Sequence, residues 1–173
     1  MVTPGPGVAE IWGWLEAIPD PEIPVISILD LGIVRDVSWT TEDGEPALRV
    51  AVTPTYSGCP AIAAIERDIV TQLHAHGIER VLLEVQLAPA WTTDWLTATG
   101  REKLRAYGIS PPRPHAVDPN APLDLGALMD ERAACPRCGS DRVELVSRFG
   151  STPCKALYRC VVCREPFDHF KAH

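Results

Sequence analysis

Five of the six cysteines in this 173-residue chain fall between positions 135 and 163. Four of them form two Cys-x-x-Cys pairs, Cys135-Pro136-Arg137-Cys138 and Cys160-Val161-Val162-Cys163, with twenty-one residues between the pairs. Two residues between cysteines let both sulfurs turn toward one ion from a tight knuckle. Two such knuckles on facing hairpins make the tetrahedral four-thiolate site of a zinc ribbon. The same thiolates also hold iron in rubredoxin-like knuckles. Gly139 suits that alternative, but Arg164 stands where the second iron knuckle would want glycine, so structural zinc is the favoured reading. A tail of this size is too short to fold on an apolar core alone, which makes a bound metal part of its folding. Cys154, six residues before Cys160, is too far from a knuckle to be a further ligand by spacing. It reads as a packed thiol or as a transient ligand beside Lys155.

The sixth cysteine is a different kind of candidate. In Thr53-Pro54-Thr55-Tyr56-Ser57-Gly58-Cys59-Pro60, Pro60 suits a first helical position, which sets Cys59 at or beside a helix N-cap just after a strand. Unpaired N–H groups and the helix dipole there favour a thiolate able to bind metal or act as a nucleophile. A buried, inert cysteine is the competing reading. Upstream, Asp20-Pro21-Glu22-Ile23-Pro24 reads as a stiff turn whose two acids are solvated. No phosphate loop, dinucleotide fingerprint or His-Glu-x-x-His motif is present, and no catalytic residue is assigned. His74 and His76 are two apart on a helix and face different ways, and His169 and His173 are spare beside four cysteines.

The elements that must position these groups follow from hydrophobic period. Val8, Ile11, Trp12, Leu15 and Ile18 make the apolar stripe of a short helix stopped by Pro19 and Pro21. Ile33–Trp39 and Leu48–Val52 alternate around Glu42-Asp43-Gly44 as a hairpin, with Val37 and Trp39 on one face. Ile62, Ile65, Ile69 and Leu73 predict a helix ended by Gly77, and Val81, Leu83, Val85 and Leu87 a third strand, so strand, helix and strand form a parallel crossover. A further helix capped by Thr93 or Asp94 runs to Tyr107, where Gly108 ends it; Trp91 and Trp95 read as packing residues. The prolines at 111, 112, 114, 119 and 122 predict an irregular linker, and Val143, Leu145, Val146, Leu157 and Tyr158 supply strands for the tail. The expected fold is α+β: a small sheet of at least three strands packed with helices over residues 1–108, a linker over 109–134, and a zinc ribbon over 135–173.

Charge separates these parts. The net charge of −7 argues against a general nucleic-acid binder. Residues 1–134 carry nine basic and nineteen acidic side chains, whereas 135–173 carry seven and four, so a basic tail hangs on an acidic body. Neither a leader-like start nor a membrane-length apolar run appears, and a cytoplasmic protein is expected.

In their order and spacing, Asp20-Pro21-Glu22-Ile23-Pro24, Asp30-Leu31-Gly32-Ile33-Val34 and Thr53-Pro54 through Gly58-Cys59-Pro60 resemble the iron–sulfur cluster assembly domain family. Four later stretches look like the D-subunit family of bacterial phenylacetyl-CoA 1,2-epoxidases, which act in aerobic phenylacetate degradation. They are Trp91-Thr92-Thr93-Asp94-Trp95, Tyr107 to Pro112, Phe149-Gly150-Ser151-Thr152, and Cys163 to Lys171. The resemblance implies an accessory role, without catalysis, in maturing iron–sulfur or iron centres. Its expected partners are the epoxidase's reductase and oxygenase subunits, with a homodimer also open. It implies that Cys59 handles a transient cluster or iron, with Asp20 and Glu22 near it, while zinc is structural. A zinc-ribbon docking subunit with no metal-transfer role and a rubredoxin-like electron carrier are the alternatives.

Overall fold

The computed structural model describes residues 5–112 and 133–171. The chain is α+β and divides into two compact units, residues 1–91 and 92–173. In the first, helix α1 (Val8–Glu16) precedes strands β1 (Val34–Glu42) and β2 (Glu45–Val52), helix α2 (Ile62–Ala75) and strand β3 (Val81–Val85). The sheet order is β1-β2-β3, with β1 and β2 antiparallel and β3 parallel to β2, as the strand-helix-strand pattern requires. The β1–β2 turn places Asp43 at φ 52° and Gly44 at φ 84°, the left-handed pair that lets a two-residue turn match strand twist.

The core of this unit is built from the predicted apolar stripes. Ile11 and Leu15 of α1, Ile65, Ile69 and Leu73 of α2, and Leu48, Val50 and Val52 of β2 are all essentially inaccessible to solvent. Each such side chain contributes about 2 kcal/mol of burial. Helix α1 ends at Glu16, earlier than its stripe suggests, and Ile18 is buried from the loop beyond it. Trp39 departs from expectation: at the far end of the hairpin it is 37% exposed, and its Nε1 donates to the Pro6 carbonyl at 3.1 Å.

The second unit begins with a 3-10 turn (Thr93–Trp95) and helix α3 (Ala98–Tyr107). The expected single helix is broken in two because Leu96 and Thr97 are extended; the cap is Thr97, whose Oγ1 accepts from the Gly100 N–H at 2.9 Å. Gly100 therefore sits in the first turn, and it is buried. Gly108, at φ 93°, ends the helix as predicted.

Strand β4 (Ile109–Ser110) corrects the expected linker, whose first two residues pair in parallel with β7 (Pro166–Phe170). With β6 (Lys155–Cys160) and β5 (Val143–Ser147) they form a sheet of order β4-β7-β6-β5. Helix α3 and β4 thus fall in the unit that holds the cysteine tail, whereas the sequence reading ends its first domain at 108. The rest of that linker, residues 113–132, and His173 lie outside the described residues. Among the described residues, no helix is long and apolar enough to cross a membrane.

Candidate metal centre and thiol site

The two knuckles meet. The sulfurs of Cys135, Cys138, Cys160 and Cys163 all lie within 4.8 Å of one another, and Cys135–Cys163 and Cys138–Cys160 are each 3.6 Å apart. A tetrahedron with zinc–sulfur bonds of about 2.3 Å has edges of about 3.8 Å, so the donor set fits a single ion. Backbone bonds fix the knuckles: the Gly139 N–H donates to the Cys135 carbonyl at 2.9 Å, and the Cys163 N–H points at the Cys160 sulfur at 3.4 Å. That donor, working against desolvation and joined by the Val162 N–H, brings the Cys160 thiol down to about 6. Beneath the sulfurs, Ala133, Ala156, Tyr158 and Phe167 form a small core with Cys135 and Cys160. Tyr158 and Phe167 stack at 6.0 Å. This handful of side chains is far short of a domain core, which leaves the metal to hold the ribbon.

Cys154 is not one of the four. It is 6% exposed, and its sulfur lies 3.0 Å from the Thr152 hydroxyl. Nearby, the Ser151 hydroxyl donates to Asp168 Oδ2 at 2.9 Å, and Lys155 Nζ lies 3.7 Å from the same oxygen. His169 is buried edge-on against Tyr158 at 5.5 Å and stands outside the sulfur group. His76 likewise goes to packing, stacked on Trp14 at 4.0 Å.

In the first unit, Cys59 is half-buried between the end of β2 and the start of α2. The helix begins later than Pro60 suggests: Ala61 is its N-cap, and Cys59 lies two residues before that. The Ile62 N–H donates to the Cys59 carbonyl at 3.3 Å, and the Cys59 N–H donates to the Tyr56 carbonyl at 3.1 Å. The helix start still reaches the sulfur. N–H groups of Ala61 and Ile62 and the Thr55 hydroxyl all favour the thiolate, but burial outweighs them and the nearby Glu22 carboxylate adds to burial. The thiol is therefore pushed above the ordinary cysteine range, opposite to the thiolate expected from position alone.

Glu22 and Cys59 are thus brought within electrostatic range, across a loop that is not the solvated turn expected. Asp20 is 6% exposed; its Oδ1 accepts from the N–H groups of Glu22 at 2.9 Å and Ile23 at 2.7 Å. Its own N–H donates to the Ile26 carbonyl at 2.8 Å, and Pro19 bridges to Ser27. Sequence reasoning passed over Thr55 and the pair of Ser27 and Asp30, each side chain of that pair accepting the other's backbone N–H at 3.0 Å. Only their place within polar, turn-forming stretches signalled them. Trp91 anchors the same loop, its Nε1 donating to the Leu31 carbonyl at 2.8 Å.

Comparison with known proteins divides the chain at the same two sites. Residues 8–82 match the iron–sulfur cluster assembly protein family, and residues 121–171 match the PaaD zinc beta ribbon domain. The D-subunit of the 1,2-phenylacetyl-CoA epoxidase of Escherichia coli (strain K12) is 51% identical over 166 residues, covering 96% of this chain and 93% of that protein. The chain belongs to the phenylacetyl-CoA epoxidase D-subunit family. Among solved structures, it is similar to a domain of unknown function, DUF59, from Bacillus anthracis at 26% identity. That match covers 56% of this chain and 89% of that one, with a TM-score of 0.49. A conserved hypothetical protein from Thermotoga maritima is similar at 23% identity, covering 60% and 98%, with a TM-score of 0.47. The four-cysteine cluster falls in the zinc-ribbon part and is arranged as a structural metal would require, and Cys59 falls in the iron–sulfur assembly part.

Proposed function

We propose that this chain is an accessory factor of the phenylacetyl-CoA epoxidase that does no chemistry on the substrate and assists assembly of an iron–sulfur or iron centre in the reductase or oxygenase component. Zinc in the ribbon is structural, and Cys59 is the ligand that takes hold of the cargo. The observation that carries this reading is the environment of Cys59: a protonated thiol at rest, with two helix-start N–H groups and the Thr55 hydroxyl already aimed at its sulfur. An incoming iron ion displaces the proton, and those donors then stabilise the thiolate. Loading is coupled to proton release, and return of the proton favours hand-over.

One sulfur cannot enclose a cluster, so the client's own ligands, or a second copy of this chain, complete the coordination. Glu22 is placed to bias the equilibrium; Asp20, its carboxylate bonded to the loop backbone, positions Glu22 rather than touching cargo. The domain organisation proposed with this reading is a cargo-handling first unit and a metal-stapled ribbon, served by different thiols.

The test is replacement of the native chain by Cys59→Ser in cells grown on another carbon source with phenylacetate added as inducer, followed by purification of the epoxidase components. The expected result is normal abundance of the variant with iron missing from a client component. Full iron occupancy in every component would refute the transfer role.

A further inference from the structure

We propose that the outer edge of β5 in the zinc ribbon is a docking strand for an extended segment of a partner protein that carries acidic side chains toward both of its ends. This goes beyond any role of Cys59, since it concerns the other unit and needs no metal transfer.

Strand β5 is the last strand of its sheet, hydrogen-bonded to β6 on one side and, among the described residues, to no strand on the other. Such an edge presents a row of backbone donors and acceptors that pairs readily with another chain unless charge, proline or cover blunts it. Here the edge is apolar instead. Leu145 is 49% exposed and Val146 57%, and Phe149 just past the strand is 68% exposed. The strand is bulged between Leu145 and Ser147: Leu145 pairs with Tyr158 and Ser147 with Leu157, leaving Val146 extra and exposed. A guest strand must pass the same extra residue, so the bulge sets its register.

Charge says what the guest is. Arg142 and Arg148 bracket β5, both exposed, and among the described residues neither guanidinium makes an ion pair or hydrogen bond; the Arg142 backbone N–H donates to the Ser140 hydroxyl at 3.1 Å. Of the acids nearby, Glu144 stands opposite Arg159 in the β5–β6 register, and Asp141, exposed beside Arg142 in the chain, makes no ion pair with it among the described residues. Cations at both ends of an unpaired apolar edge complement carboxylates about five or six residues apart on an extended guest. The same charges select against a second copy of this chain: two β5 strands paired antiparallel about their middle residue, Leu145, would set Arg142 of one copy opposite Arg148 of the other. Like charges directly across a ladder are destabilising.

The experiment uses the full-length, zinc-loaded protein and two labelled synthetic peptides, ten residues of alternating valine and threonine with a glutamate near each end or a lysine near each end. Fluorescence anisotropy measures binding, and hydrogen exchange locates it. The glutamate-ended peptide is expected to bind, to slow exchange along Val143–Ser147, and to lose at least tenfold in affinity in the double variant Arg142→Glu, Arg148→Glu. That variant should in turn prefer the lysine-ended peptide while keeping wild-type zinc content and unchanged exchange in β6, which separates loss of docking from loss of fold. Equal binding of both peptides to the wild type, affinity unmoved by charge reversal, or β5 protection in a peptide-free homodimer would each overturn the proposal.

Discussion

Gly139 and Arg164 occupy equivalent places, one residue after the second cysteine of each knuckle, and both have left-handed backbone, with φ of 73° and 63°. Glycine adopts that conformation without cost, whereas a residue with a Cβ loses about 1 kcal/mol there. Arg164→Gly is therefore expected to stabilise the metal-loaded ribbon by about 1 kcal/mol, and Gly139→Ala to destabilise it by a similar amount. Denaturant midpoints of the zinc-bound protein measure both; an Arg164→Gly variant no more stable than wild type would show that the knuckle does not hold that backbone.

Metal removal should affect the two units unequally. The ribbon's apolar core is small, and the first unit has its own inaccessible core of helix and sheet side chains. Chelation is expected to abolish exchange protection in β5, β6 and β7 while leaving β2 and α2 protected. Loss of protection throughout the chain would mean that the first unit cannot stand without the metal.

The Cys59 thiol sits above the ordinary cysteine range because it is buried, with Glu22 adding to the effect. A raised value means less thiolate at any pH below it, so at pH 8 Cys59 should alkylate more slowly than a free cysteine. Its rate should go on climbing with pH after the free thiol has levelled off. Glu22→Gln removes a like charge, lowers the value and should speed the reaction at pH 8. The measurement is iodoacetamide labelling read by peptide mass; labelling as fast as free cysteine, with no response to Glu22→Gln, would contradict this environment.

Asp20 should behave as a structural residue. Its carboxylate satisfies two backbone N–H groups in a loop whose Ile23 and Ile26 are buried, and removing it leaves those donors stranded. Asp20→Ala is expected to cost about 1–3 kcal/mol in thermal or denaturant stability. Asp20→Asn keeps an acceptor and should recover most of that loss. A variant that is fully stable yet unable to handle cargo would move Asp20 into the site.

Much of this was legible in the residues because the signals were local. The Cys-x-x-Cys pairs fixed their own geometry through the knuckle backbone, and the stripes of α2 and β3 had a clear period, so the parallel crossover followed. What escaped depended on partners distant in sequence. Ile109 and Ser110 look like linker until β7 supplies a strand to pair with, nearly sixty residues on. The Asp20 loop looks solvated until Pro19 and Ser27 bridge it and its isoleucines are buried. At Cys59 the position near a helix start was readable, but the balance between helix N–H groups and burial was not, since burial is a property of the packed molecule. Thr97 displaced the expected cap because Leu96 breaks the run, a backbone choice that hydrophobic period does not register.

Two sets of thiols doing two jobs is the central claim, and its most direct measurement is metal and acid-labile sulfide stoichiometry on anaerobically purified wild type and Cys59→Ala side by side. Zinc near one per chain is expected in both proteins, with iron, alone or with sulfide, in the wild type only. Zinc alone in both, or iron retained without Cys59, would contradict that division of labour.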